Sequence, residues 1–441
     1  MPKTALIILI FILLRIIISL PLELEFDESY YFLWSKNLSL SYYDHPPLIA
    51  YIIYPFSFFA PSEIMIRIPI IFLSVLFSVS LLLISKEVSS EGNSNLVLAN
   101  TLPLYFFSFV IITPDAPLLS FWSLSLYFFI KKKWLYFGIS FGFCLLSKYT
   151  AVLFIPSAFI FFLLKKEKIP KEFLLSLILS VIIFSPVIIW NIANDFASFS
   201  FQLKHGISKS VNLLSFLEFI GGQSLILFPH IFIAIFFTLH KMLKEKELRA
   251  YTSFSIFPLI FFLIASLTKR QEANWAPVAY VSLIPFFSTK LKKPTAVLFS
   301  ISFLLFFLHI EKPLLKKDIT DRFFGWRELA ENIKQCINQN QKETFVLTEG
   351  YHKLSEIYFY LVEKVPVFDV YEHKRYSFLK GEIKANQAVI VVQEGNYAPI
   401  NEAMNKYGFK RANLCKISER RRGKNKTKLI EKLLIYNLTE K

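Results

Sequence analysis

Only three cysteines and twelve glycines occur among the 441 residues, and charged side chains make up just 19% of the chain. Three cysteines cannot staple a small disulfide scaffold, and none stands in a CxxC pair that would suggest a redox dithiol or a zinc ribbon. Without an HExxH there is no zincin signature. No P-loop and no GxGxxG is present, so the glycine turns that cradle nucleotide phosphates are absent. A soluble chain's usual makeup is missing as well: 54% of residues are hydrophobic, 49 are phenylalanine, and mean hydropathy is +0.48. This composition belongs to a polytopic α-helical membrane protein.

A bilayer asks for about 20 apolar residues per helix. That ruler gives spans near 4–22, 63–85, 96–112, 117–130, 134–147, 151–164, 172–190, 216–240, 250–267, 275–289 and 294–310. The first run is read as a retained span, because Glu23-Leu24-Glu25 follows it where a small-residue cleavage site would be needed. Lysine clusters fall in alternate loops (131–133, 165–168, 241–249 and 290–293), as the positive-inside tendency requires. With about eleven spans and the amino terminus inside, residues 1–311 form the membrane domain and residues 312–441 a soluble domain on the outer face. Its pattern predicts helices at 326–339, 353–363 and 400–407, strands at 344–348, 365–370 and 388–393, and strand-like segments at the end: a small α/β domain.

From Lys312 onward, basic residues outnumber acidic ones by about nine, Arg420-Arg421-Arg422 among them. Such a face either leans on anionic headgroups or is a solvated basic hairpin. Nucleic acid is excluded as a partner, since no recognition motif accompanies this charge. Cys336 and Cys415 share the outer domain, where a disulfide is chemically permitted.

Acids, bases and amides gather in the loops assigned to the outer face. Asp27, Glu28, Tyr43, Asp44 and His45 follow the first span, and Arg67 lies near the start of the second. Asp115 sits in a Thr-Pro-Asp-Ala-Pro turn, Lys148 in Ser147-Lys148-Tyr149, Gln202 and His205 after Trp190-Asn191, and Lys269, Arg270, Glu272 and Asn274 before Trp275. Ionisable groups beside a bilayer are costly and mark functional sites. Their position at helix ends favours a reaction centre over a midplane transport site. A lipid-linked sugar transporter, or an assembly factor whose carboxylates are structural, stays open.

Each residue has a bland reading too. Asp27 could cap the short helix behind it, Glu28 could merely suit the helix dipole, and Asp115 could cap the fourth span. Arg67 could snorkel to headgroups, and Trp275 could be an interfacial anchor. His45, His205 and Glu63 offer ligand types a divalent metal accepts, but their spacing is not diagnostic and no metal is assigned.

The motifs Asp27-Glu28-Ser29-Tyr30-Tyr31, Tyr43-Asp44-His45-Pro46-Pro47, Thr113-Pro114-Asp115-Ala116-Pro117, Ser147-Lys148-Tyr149-Thr150, Trp190-Asn191 with Phe201-Gln202, and Glu272-Ala273-Asn274-Trp275 together resemble the bacterial protein-O-mannosyltransferase-like glycosyltransferases. These are integral membrane C-type glycosyltransferases and include the aminoarabinose transferase that acts on lipid A. Phe324-Gly325-Trp326-Arg327-Glu328-Leu329 resembles the start of the soluble domain in bacterial members. The resemblance implies inverting transfer of a monosaccharide from a polyprenyl-phosphate donor to an envelope lipid or protein hydroxyl on the outer face. On that reading Asp27 is the base, with Glu28, Asp44 and His45 beside it in the catalytic set. Asp115, Tyr43, Gln202, His205, Glu272 and Asn274 bind substrate, and Arg67, Lys148, Lys269 and Arg270 hold the phosphate.

Overall fold

The computed structural model describes residues 3–59, 62–88, 91–206, 211–313, 315–316, 318–337, 344–361, 365–371, 375, 378–379 and 387–440, without the side chains of 204–206. His205 therefore lies outside what can be assigned. The chain forms two compact units. The first comprises Met1–Ile17, Ser39–Ile52 and Arg67–Ile301, and the second Ile18–Leu38, Ile53–Ile66 and Ser302–Lys441.

Among the described residues, four helices are long and apolar enough to cross a membrane: Glu63–Val88, Lys171–Ala193, Arg249–Thr268 and Thr289–Glu311. Asp115–Ile130, Trp134–Ser147 and Tyr149–Lys165 are apolar but shorter, and Lys3–Ser19 has 17 residues. Large apolar side chains such as Ile182, Phe237 and Leu304 point outward, which suits lipid as solvent. Three stretches expected as single helices are broken, each at proline. The 216–240 stretch is two helices, Leu213–Leu227 and Pro229–Lys244, bent by 100° where Phe228 takes a φ of +64° before Pro229. The 96–112 stretch breaks at Pro103, and 275–289 dissolves into short turns around Pro277 and Pro285. Proline lacks the amide proton that the next helical turn needs.

Small residues set the closest helix packing. Trp134–Ser147 lies against Lys171–Ala193 so tightly that a Cβ on Gly138 would stand 2.8 Å from the Ser176 carbonyl, and one on Gly142 2.7 Å from Ile183. Ser180 Oγ donates to the Gly138 carbonyl at 2.8 Å across this seam. Two glycines four apart let backbones approach where lipid supplies no hydrophobic drive. Elsewhere in this unit Arg15 is wholly buried, donating to Asn100 Oδ1 at 2.8 Å with its guanidinium 5.0 Å from the Phe106 ring centre.

In the second unit a five-stranded sheet has the order β2-β1-β3-β5-β4, with β1 Thr344–Thr348, β2 Val367–Asp369, β3 Gln387–Gln393, β4 Arg411–Arg422 and β5 Lys428–Thr439. β1 pairs parallel with both neighbours, and β5 runs antiparallel to β3 and β4. All five β1 residues are buried, as a strand covered on both faces requires. Helices Trp326–Cys336, Gly350–Tyr360 and Ala398–Tyr407 match the expected order. Phe345, Ile390, Ile400 and Leu434 form part of the core. Cys336 and Cys415 are bridged.

The basic run at the end of β4 corrects an expectation. Strand alternation carries Arg420 and Arg422 inward, where both are buried. Arg420 pairs with Glu431 at 3.0 Å and lies 3.4 Å from the Trp326 ring centre, while Arg422 pairs with Asp318 and Asp321 at 3.1 and 3.0 Å. Neither belongs to a solvated or lipid-facing patch. The stack explains Phe324-Gly325-Trp326: Gly325 has φ +85°, and a Cβ there would meet Arg420 Cα at 2.9 Å.

Gly142→Leu is expected to lower the stability of the purified protein by about 1–3 kcal/mol through overpacking against Ile183, with Ile183→Ala restoring part of the loss. Thermal unfolding in detergent reads both; an unchanged melting temperature for the single variant would remove this seam from the account of packing.

Candidate active site

The second unit holds Asp27. Its helix, Phe26–Lys36, begins with a capping box: Glu25 accepts from the Asp27 amide at 2.9 Å, and Glu28 accepts from the Glu25 amide at 3.0 Å. The capping role considered for Asp27 thus falls to Glu25. Asp27 stands half-buried in the first turn, and Glu28 is fully buried. Tyr351 Oη donates to Asp27 Oδ1 at 3.3 Å. Burial, reinforced by the neighbouring Asp27 charge, pushes the Glu25 carboxyl well above the usual range, against the pull of the Asp27 amide and Arg322. Nearby, Glu63 accepts from Arg327 and from Tyr360 Oη.

Glu356, on the Gly350–Tyr360 helix, is wholly enclosed, and neither carboxyl oxygen has a hydrogen-bond partner among the described residues. Burial pushes its carboxyl well up; Glu25 adds to the shift and Arg420 opposes it. Such burial favours the neutral form.

The first unit gathers three other candidates. Lys148, just past the Trp134–Ser147 helix, pairs with Asp115 Oδ1 at 2.7 Å, and Asn274 Nδ2 donates to Asp115 Oδ2 at 3.1 Å. Three loops far apart in sequence thereby meet at one buried carboxylate. Asp115 is the first residue of its helix, and the capping position before it is taken by Pro114. The Asn274 loop is held by Gln223, which donates to the Ala273 carbonyl at 2.7 Å and accepts from Tyr280 Oη at 2.7 Å.

Gln202 donates to the Asp44 carbonyl at 2.6 Å, and Phe201 packs on Tyr43 with ring centres 4.8 Å apart. This gives Phe201-Gln202 a physical task, clamping the Tyr43-Asp44-His45 loop. Asn191 accepts from Ser198, which bonds Tyr149 Oη at 2.7 Å. Arg67 is fully enclosed and does not snorkel to the surface. Lys269 is half-buried, and Arg270 is exposed with Glu218 and Glu272 each 3.8 Å away, a spacing worth little in water.

No three His, Cys, Asp or Glu side chains among the described residues gather as a metal site would need. A cavity of about 510 Å³ in the second unit, lined by Glu23, Arg327, Glu328, Arg421 and Lys424 among others, contains none of the candidates. Sequence reasoning missed Glu25, Gln223, Tyr351 and Glu356. The Glu25-x-x-Glu28 spacing could have signalled the capping box. Nothing local marks Tyr351, which is 324 positions from its partner.

Comparison with known proteins places these findings. The family described as dolichyl-phosphate-mannose-protein mannosyltransferase matches residues 44–190. A relative, the lipid A galacturonosyltransferase RgtD of Rhizobium johnstonii, is 26% identical over 279 residues, covering 58% of this chain and 58% of that protein. The chain thus matches somewhat over half the length of this relative. Crystal structures of ArnT from Cupriavidus metallidurans share the fold: the apo form has a TM-score of 0.66 at 12% identity, covering 98% of this chain and 97% of that one. The form bound to undecaprenyl phosphate has a TM-score of 0.61 at 11% identity with the same coverage.

Two predictions follow from the buried carboxyls. Lys148→Met strands the Asp115 charge and is expected to cost about 3–5 kcal/mol, whereas Lys148→Met with Asp115→Leu recovers most of the melting temperature. A double variant no more stable than the single one would show that the pair is not energetically coupled. Glu356 has a folded-state pKa above the ordinary value of 4.5, so the folded state binds the extra proton as pH rises from there. Its contribution to stability then falls with pH, by at most about 1.4 kcal/mol per unit. Glu356→Met is expected to unfold at a higher temperature than wild type at pH 8, with the gap closing toward pH 4; a gap independent of pH would contradict the neutral carboxyl.

Proposed function

We propose that this chain, which resembles the protein-O-mannosyltransferase-like C-type membrane glycosyltransferases in sequence and fold, moves a monosaccharide from a polyprenyl-phosphate donor to an envelope glycolipid with inversion at the anomeric carbon. The observation that carries the reading is Asp27: a half-buried carboxylate in the first turn of a helix whose capping is done by Glu25. RgtD is a lipid A galacturonosyltransferase, and an ArnT of the same fold is seen with undecaprenyl phosphate. These relatives support a lipid-linked phosphate donor and a lipid A-type acceptor.

Asp27 takes the proton of the acceptor hydroxyl as its oxygen forms the bond to the anomeric carbon. The bond from that carbon to the phosphate oxygen breaks, and the phosphate leaves with the electron pair. Glu28 fixes the start of the helix, and Asp44 and His45 complete the polar set. Asp115, Tyr43, Gln202, His205, Glu272 and Asn274 serve sugar and acceptor. Arg67, Lys148, Lys269 and Arg270 are the cations for the leaving phosphate, where charge grows in the transition state. Lys148 is the foremost of them, since an ammonium has three donors and one goes to Asp115. We place the reaction on the outer face of a multi-pass inner membrane protein, following the alternation of lysine-rich loops.

Transfer of radiolabel from a panel of undecaprenyl-phosphate sugars to total envelope lipid and protein tests this. Wild type is expected to label glycolipid, and Asp27→Asn to lose about 10²- to 10⁴-fold in rate while melting like wild type. Label in protein would move the acceptor to a Ser or Thr hydroxyl, the reading favoured by the protein mannosyltransferase match over residues 44–190. Donor binding without transfer would favour a lipid-linked sugar transporter.

A further inference from the structure

Asp27 is gripped by a helix that arrives from the other end of the chain. Gly350–Tyr360 meets the Asp27 segment at both of its ends. At its start, Tyr351 Oη donates to Asp27 Oδ1 at 3.3 Å. The Tyr351 ring is edge-on to Phe26 at 6.0 Å and tilted against Tyr30 at 5.2 Å, and the Arg375 guanidinium stands 4.3 Å from its centre. At its end, Tyr360 Oη accepts from the Leu24 amide at 2.8 Å and donates to Glu63 at 3.0 Å. The Phe26, Tyr30 and His352 rings and the Arg375 guanidinium thus hold the plane of Tyr351, and of the two in-plane directions open to a phenol proton one points at Asp27.

We infer that Tyr351 is a positioning residue for sugar transfer, its hydroxyl holding the Asp27 carboxylate in one orientation so that the C-terminal domain is a working part of the reaction centre. This rests on the reading of Asp27 as the base. A donor to the anion favours the charged form, so Tyr351 both orients the base and keeps it deprotonated toward lower pH. Glu25 and Glu28 lie on the same segment as Asp27, the Arg375 guanidinium faces the Tyr351 ring, and His352 and Arg322 stand against the Phe26 ring, 3.9 and 4.8 Å from its centre. None of these is changed by removing one hydroxyl. Tyr351→Phe keeps the ring and deletes the hydroxyl that donates to Asp27.

The experiment compares full-length wild type, Asp27→Asn, Tyr351→Phe and a protein carrying 3-fluorotyrosine at 351, using the undecaprenyl-phosphate sugar and acceptor that support transfer in the panel above. For Tyr351→Phe, kcat is expected to fall about tenfold, with KM for donor and acceptor within about twofold of wild type. The acid limb of the pH profile should move up by about half to one unit. Fluorotyrosine, a stronger donor of nearly the same size, should move that limb the opposite way, which a packing role could not produce.

The outcomes separate. No transfer by wild type, or transfer retained by Asp27→Asn, overturns the base assignment and this inference with it. Loss in Asp27→Asn together with unmoved kcat and acid limb in both Tyr351 proteins overturns the inference alone. A rise confined to KM would place Tyr351 among substrate-binding residues instead and overturn its positioning role.

Discussion

A charge taken out of water must be paired, hydrogen-bonded or neutralised, and this chain is organised around meeting that demand in an unusually apolar setting. Its two units meet it differently. In the first, Asp115 has Lys148 and Asn274, and Arg15 has Asn100 and two phenylalanine faces. In the second, Arg420 and Arg422 are matched by Glu431, Asp318 and Asp321, but Glu25 and Glu356 are not fully compensated, and burial pushes both carboxyls up. Paired charges of this kind hold geometry. Incompletely compensated carboxyls store a sensitivity to pH, and here they lie in the same unit as the half-buried Asp27.

Membrane character and the order of elements after Trp326 were legible because each rests on local patterning: long apolar runs, alternation in strands, and periodicity in helices. What failed to show was whatever depends on distance in sequence. Proline at 103, 229, 277 and 285 was visible in the sequence, yet apolar runs through it read as continuous because hydropathy is blind to the missing amide. Arg420-Arg421-Arg422 read as a surface patch because composition carries no sense of which residues alternate inward. The glycines at 138 and 142 were equally visible, but only the packed helices show that a Cβ there would meet Ser176 and Ile183.

The candidate site was legible residue by residue and not as a set of relations. Asp115, Lys148 and Asn274 were each singled out, in two different roles, and the structure joins them at one carboxylate. Phe201-Gln202 was part of a motif without a task until it was seen clamping Tyr43 and Asp44. Partners such as Tyr351 carry no motif of their own, since their only qualification is where the sheet domain's first long connection returns the chain.

In the role proposed for Asp27, the helix has to present a carboxylate that is not spent on capping. An aspartate near a helix start is ordinarily drawn to the exposed amides there, because four of them lack partners within the helix. Once an aspartate caps, its oxygens are committed and its basicity is lowered by the donors it accepts. Glu25 relieves Asp27 of this: it occupies the capping position, takes the Asp27 amide itself, and has its own amide taken by Glu28. The carboxylate two residues on accepts instead from the Tyr351 phenol. A carboxylate so placed is fixed in direction without serving as the cap, which is what the proposed role of Asp27 as base asks of it.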